Sequence, residues 1–187
     1  IKLRFNKTFF KFTAIIIYFC NSYPFVICNI VRVNKFTEDS AKKFHHEMAM
    51  AHNTGQNVIP IVIDSYGGQV YSLMSMISAI NSAELPVATI VEGKAMSCGA
   101  VLLTFGEQGM RFADPDATVM IHDVSSGGWG KIEELKADVA EAERLDEKIF
   151  TMMARNCGHD DEFFLDEVHK RGRACLLYTS PSPRDGL

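Results

Sequence analysis

The chain reads as an α/β protein built on a parallel sheet, and three features carry that reading. Val58-Ile59-Pro60-Ile61-Val62-Ile63 is a near-continuous apolar run, as a strand buried on both faces requires. It passes through a Gly-rich turn, Asp64-Ser65-Tyr66-Gly67-Gly68, into a segment with apolar residues at helical spacing. A second apolar run at 87–91 repeats the order of strand, turn and helix, which calls for βαβ-type crossovers. At 187 residues the chain is long enough for one domain with a sizeable core, and its 47% hydrophobic and 22% charged content is ordinary for a globular protein.

Residues 1–29 differ in character from the rest of the chain. Lys2, Arg4, Lys7 and Lys11 precede an almost wholly apolar run at 12–20, a layout that fits a signal peptide, a short anchor or a stretch of non-native reading frame. Asn21, Pro24 and Asn29 interrupt it too early for a full transmembrane helix. Regular patterning begins with a short strand at 29–33. Thr37-Glu38-Asp39-Ser40 then opens a helix to about residue 53, with Thr37 as N-cap and Ala41, Phe44, Met48 and Ala51 on one face. After the strand at 58–63, a helix carries Val70, Leu73, Met74, Ile77 and Ile80. The strand at 87–91 leads through Gly93-Lys94-Ala95-Met96 to a helix start at Ser97-Cys98-Gly99-Ala100.

Two further strands, at 110–113 and 117–121, are joined by Asp114-Pro115-Asp116. His122 stands at the tip of the second, ahead of the Gly-rich loop 125–130. A long helix is next, over 131–155. Ile132, Leu135, Val139, Ala142, Leu145, Ile149 and Met152 or Met153 form its apolar stripe. Lys131, Glu133, Glu134, Asp138, Glu141, Glu143, Asp146 and Lys148 form a charged face, ordinarily a solvated one. A helix over 160–170 closes the patterned region.

Composition narrows the function. A formal net charge of -4 with no central basic cluster argues against a nucleic-acid partner. The five Cys follow no CxxC spacing and no even-numbered framework, which points to a reducing, cytoplasmic compartment and no metal site. Ser97 lies among small residues where unpaired backbone N–H groups point outward and the helix dipole favours negative charge. Such a place could hold a tetrahedral oxyanion, although a lone serine at a helix start is ordinarily just an N-cap. A histidine at a strand tip is likewise more often structural than a base, yet Ser97 and His122 make a plausible nucleophile–base pair. Gly67-Gly68 either relieves a sharp turn or brings backbone N–H groups to an anion. The phosphate-loop and GxSxG patterns are both absent.

Taken together, Asp64-Ser65-Tyr66-Gly67-Gly68, Ala95-Met96-Ser97-Cys98-Gly99-Ala100, and Arg111-Phe112 followed by Val119-Met120-Ile121-His122 resemble the proteolytic subunit of the Clp protease family over about 29–174. The resemblance implies a ClpP/crotonase-type fold of repeated β-β-α units, with the long helix from Lys131 as a protruding handle. It implies Ser97 as nucleophile, His122 as general base, and backbone N–H groups of Gly68 and Cys98 as the oxyanion hole. It also implies a heptameric ring, doubled through the handles. A Clp-family AAA+ unfoldase would use the ATP and feed in unfolded polypeptides, with no cofactor or metal bound here.

Asp64, Tyr66 and Cys98 depart from the family's usual Asn, Pro and Met. The family's third triad member, an Asp expected near residue 175, is absent; Cys175-Leu176-Leu177-Tyr178-Thr179-Ser180-Pro181-Ser182-Pro183-Arg184-Asp185 stands there instead. That string reads like a translated sequencing adapter. Residues 175–187 are thus expected to be a non-native tail on a peptidase domain over 30–174, and Asp185 does not inherit the role. Asp123 or Asp166 is the substitute to consider. The alternative functions are a non-catalytic ring subunit, a crotonase-like acyl-CoA enzyme and a membrane-associated Ser–Lys peptidase.

Overall fold

The computed structural model describes residues 28–125, 127 and 129–170, and the backbone of 171 and 175–178. The reading of 1–29 as signal-like or non-native falls, but for its last two residues, outside the described residues, as does the reading of Asp185. The elements are β1 (Val31–Val33), α1 (Glu38–His52), β2 (Ile59–Ser65), α2 (Val70–Asn81), β3 (Val87–Met96) and α3 (Cys98–Leu103). They continue with β4 (Arg111–Ala113), β5 (Thr118–Ile121), α4 (Ile132–Cys157), α5 (Phe163–Arg171) and β6 (Cys175–Tyr178). The expected α/β architecture is present. One sheet runs β1-β2-β3-β5-β6, with β4 also paired to β3, and every pairing is parallel except β5 with β6.

Helix α1 starts where its side chains dictate. Ser40 N–H donates to Thr37 Oγ1 at 3.2 Å and Thr37 N–H donates to Ser40 Oγ at 2.8 Å, a reciprocal capping box. Ala41, Phe44, Met48 and Ala51 are its buried face, as the spacing predicts. In α2 the buried apolar positions are Leu73, Met76, Ile77 and Ile80, whereas Met74 is only partly covered.

Strand β3 is longer than its apolar run. It continues through Glu92-Gly93-Lys94 to Met96 because it exchanges neighbours there. Thr89, Ile90 and Val91 pair with β4, and Lys94, Ala95 and Met96 pair with β5. Lys94 satisfies its charge from inside the sheet. Its Nζ donates to Asp64 Oδ1 of β2 at 2.8 Å and lies 4.5 Å from the ring centroid of Tyr66.

Only the C-terminal half of α4 is core. Leu145, Ile149, Phe150, Met153 and Ala154 are buried, and Gly158 ends the helix in the left-handed conformation at φ 73°. The expected stripe emerges uncovered in the other half, where Ile132 is 72% and Val139 55% exposed. The charged face is not wholly solvated either. Tyr71 of α2 donates its hydroxyl to Glu141 Oε1 at 2.6 Å, and Arg144 donates to both Glu141 oxygens at 2.7 Å.

The string expected to be patternless contributes β6. It sets Cys175 opposite Ile121 and Leu176 opposite Met120. The place where a third carboxylate is expected therefore lies across from the end of β5, one residue before His122.

The α2–α4 tie makes a pH prediction. Hydrogen bonds from Arg144 and Tyr71 pull the Glu141 carboxyl from 4.5 down to about 2. A carboxyl depressed on folding adds stability above its unfolded value and loses it as pH falls through the folded one. In urea melts the parent should therefore exceed Glu141→Gln near neutrality, by a small amount because the pair is exposed. The difference should fade as pH falls from 4.5 toward about 2.

Candidate active site

The chain passes from β3 to α3 in one residue, Ser97, with φ 53° and ψ -120°. It is the one non-glycine residue with positive φ among the described residues. Such a conformation costs about 1–3 kcal/mol and persists only where the surroundings over-determine it. Here they do. Ser97 N–H donates to the Met120 carbonyl of β5 at 2.8 Å, and the Ser97 carbonyl accepts from Ala100 N–H at 3.0 Å and Val101 N–H at 3.2 Å. The side chain makes no capping hydrogen bond, so the ordinary N-cap role does not account for this serine. A sharp, strained strand-to-helix turn has formed without the GxSxG sequence that often builds one.

Gly67 and Gly68 belong to the same construction. A Cβ on Gly67 would lie 2.8 Å from Ser97 Cβ and 3.2 Å from its Oγ, and Gly67 itself sits at φ 108°. A Cβ on Gly68, at φ 151°, would collide with the Phe36 carbonyl oxygen, which accepts Gln69 N–H at 2.8 Å. The structural role of the glycines is thus real, and it is also what brings this turn against Ser97. Cys98 Sγ donates to the Gly68 carbonyl at 3.3 Å, joining the two turns. Burial pushes the Cys98 thiol pKa up, which marks it as a packed group rather than a thiolate nucleophile.

His122 follows β5 directly. Its Nδ1 lies 2.6 Å from the Asp123 carbonyl oxygen. A carbonyl can only accept, so Nδ1 carries a proton, and in the neutral ring Nε2 keeps its lone pair. The carboxylate of Asp123 points elsewhere, with Oδ1 3.9 Å from His169 Nε2 on α5. Asp166 lies in the first turn of α5. No described hydrogen bond joins either carboxylate to His122.

Ser97, His122, Gly68 and Cys98 all line one cavity of about 200 Å³. Ile121, Ile149 and Phe150 supply apolar wall, and Tyr66, itself 75% exposed, stands at its side. Among the described residues Ser97 Oγ and His122 are not directly hydrogen-bonded. They share the wall.

Sequence reasoning missed Asp146, which it grouped with the solvated face of α4. Asp146 is half-buried, lines the same cavity and accepts Val124 N–H at 2.8 Å. A signal was available, because position 146 lies three and four residues before Ile149 and Phe150, beside the buried stripe. Among the described residues no cluster of His, Cys, Asp and Glu could hold a metal ion, and no helix is long and apolar enough to cross a membrane.

A family model for Clp protease matches residues 26–171. The chain belongs to the Clp protease family. The matched span begins ahead of β1 and ends with α5, so it contains every residue of the cavity wall. The α/β fold, with its parallel sheet and long α4, accords with the ClpP/crotonase fold expected for the Clp protease family.

Proposed function

We propose that this Clp-family chain is a serine endopeptidase, the proteolytic subunit of an ATP-dependent Clp-like complex that hydrolyses unfolded polypeptides. The observation carrying the proposal is the shared wall. Ser97 is presented on a strained turn, and His122 has its Nε2 lone pair free in the same cavity. In this reading Ser97 Oγ attacks the peptide carbonyl carbon as Nε2 takes the hydroxyl proton. The tetrahedral oxyanion is held by the N–H groups of Gly68 and Cys98, each such donor being worth about 10²–10³ in turnover. The imidazolium returns its proton to the leaving amine, and water then hydrolyses the acyl-serine by the same route. Because the donor at Cys98 is the backbone, its departure from the family's usual Met leaves this role intact. A crotonase-like acyl-CoA enzyme would have no use for the strained serine.

ATP is the business of the partner unfoldase, a Clp-family AAA+ protein, and the compartment is the cytoplasm. We read the peptidase domain as 30–174, with 1–29 set apart and 175–187 as a non-native tail. The assembly is a heptameric ring, paired with a second ring through α4. Support for that role comes from Ile132 and Val139, an apolar stripe left in solvent on a helix whose other half is core.

Three outcomes test these assignments. A fluorophosphonate should label the chain at Ser97, and Ser97→Ala should abolish both labelling and peptide hydrolysis while the fold survives. His122→Ala should cost nearly as much as the double change, since the two act as one unit. Hydrolysis at parental rate by folded Ser97→Ala would overturn the nucleophile assignment. In sedimentation, Ile132→Glu with Val139→Glu should reduce double rings to single ones without unfolding the subunit; an unchanged particle would remove α4 from the ring interface. Finally, replacing 175–187 with an Asp-containing tail from a related sequence should raise turnover, because losing the carboxylate that serves the histidine costs about 10⁴ in the serine-protease template. Unchanged turnover would mean that His122 is already fully served.

A further inference from the structure

Helix α4 brings to the cavity wall a carboxylate that takes no part in the proposed proton transfers. Asp146 Oδ1 accepts Val124 N–H at 2.8 Å. The Asp123 carbonyl that accepts His122 Nδ1–H at 2.6 Å belongs to the same peptide group as that N–H. One planar amide is therefore held at both ends, by a carboxylate on its N–H and an imidazole on its oxygen. Hydrogen bonds arranged in series polarise one another. An anion accepting the N–H draws electron density toward the carbonyl oxygen and makes it a better acceptor for Nδ1–H.

We propose that Asp146 is a positioning residue for His122, acting through the 123–124 peptide group to fix the imidazole tautomer and to favour its protonated form. The inference rests on the serine-peptidase reading of the site. Asp146 itself does not touch the reacting atoms. The groups facing it are His122 and Asp123 from the segment after β5, and His169 from α5. Burial raises the Asp146 pKa, Val124 N–H opposes that, Asp123 adds to it, and His169 and His122 counter it. Asp146 is half-buried on the cavity wall beside Ile149 and Phe150 rather than on the outer face of the helix.

The test compares the parent with Asp146→Asn and Asp146→Ala. It measures the rate of Ser97 modification by a fluorophosphonate across the histidine titration range. Asn keeps an oxygen that can accept Val124 N–H but carries no charge. It should retain most of the high-pH rate and move the midpoint to lower pH, because the anion that favours imidazolium is gone. Ala should lose about tenfold or more, the scale of a hydrogen bond to a charged group. The midpoint of the His122 ring, read by NMR in a Ser97→Ala background, should fall on adding Asp146→Asn. That measurement needs no activity and no folded Asp146→Ala variant. Rates and midpoints unmoved in both variants would overturn the proposal. So would equal losses in Asn and Ala with an unshifted midpoint, which would reduce Asp146 to packing. Labelling that persists in Ser97→Ala would instead sink the serine-peptidase reading, while the NMR midpoint would still report separately on the coupling between Asp146 and His122.

Discussion

The hydrogen bond from Ser97 N–H to the Met120 carbonyl is where the sheet hands over to the site. It extends the β3–β5 ladder one step beyond the Met96–Met120 pair, and at that step the chain turns out of the sheet at φ 53°. The same bond that pins the serine also sets its place along β5, two residues before His122. Neither side chain can be moved without slipping the register of two parallel strands, which would turn every alternate residue to the wrong face. Gly67 closes the arrangement from β2, because only a residue without a Cβ lets the turn approach Ser97 so nearly. Three successive strands of the sheet thus fix one torsion angle, and the cavity follows from it.

Much of this was legible wherever the determinants are local. The cap at Thr37 and the face of Ala41, Phe44, Met48 and Ala51 needed only periodicity and a short hydrogen-bonding side chain. The family frame was likewise carried by residues standing in order along the chain. What was not legible is what depends on a neighbour distant in sequence. Glu92-Gly93-Lys94 looks like a polar break and is the continuation of a strand, because Asp64 on β2 meets the lysine. Glu141 and Asp146 look like parts of one solvated face. Yet Tyr71 claims the first and Val124 N–H the second, across 70 and 22 residues of chain respectively. Periodicity says that a face exists; it does not say what lies against it.

Helix α4 shows the same limit on a larger scale. Its apolar stripe is continuous in sequence, but the chain's own fold fully buries it only from Leu145 onward. Burying an apolar side chain is worth about 1.5–3 kcal/mol relative to leaving it in water, so the N-terminal half forgoes a stabilisation the other half collects. A sequence that keeps Ile132 and Val139 under those conditions is consistent with a surface covered by something outside the subunit. The helix would then serve two purposes at once. One end carries Asp146 to the cavity, and the other offers an apolar edge to a partner.

The orientation of His122 depends on the sheet and on α4 together. A base must present Nε2, and something must therefore take the proton on Nδ1. In this chain that acceptor is the carbonyl of Asp123, a neutral dipole. A dipole fixes the tautomer as well as a carboxylate does, but it stabilises the imidazolium less, because hydrogen bonds to an ionised acceptor are roughly twice as strong. Across from the end of β5, the backbone of Cys175 pairs with Ile121. On the proposed reading, orientation of the base comes from the backbone, and stabilisation of its charged form comes through the amide whose N–H Asp146 accepts.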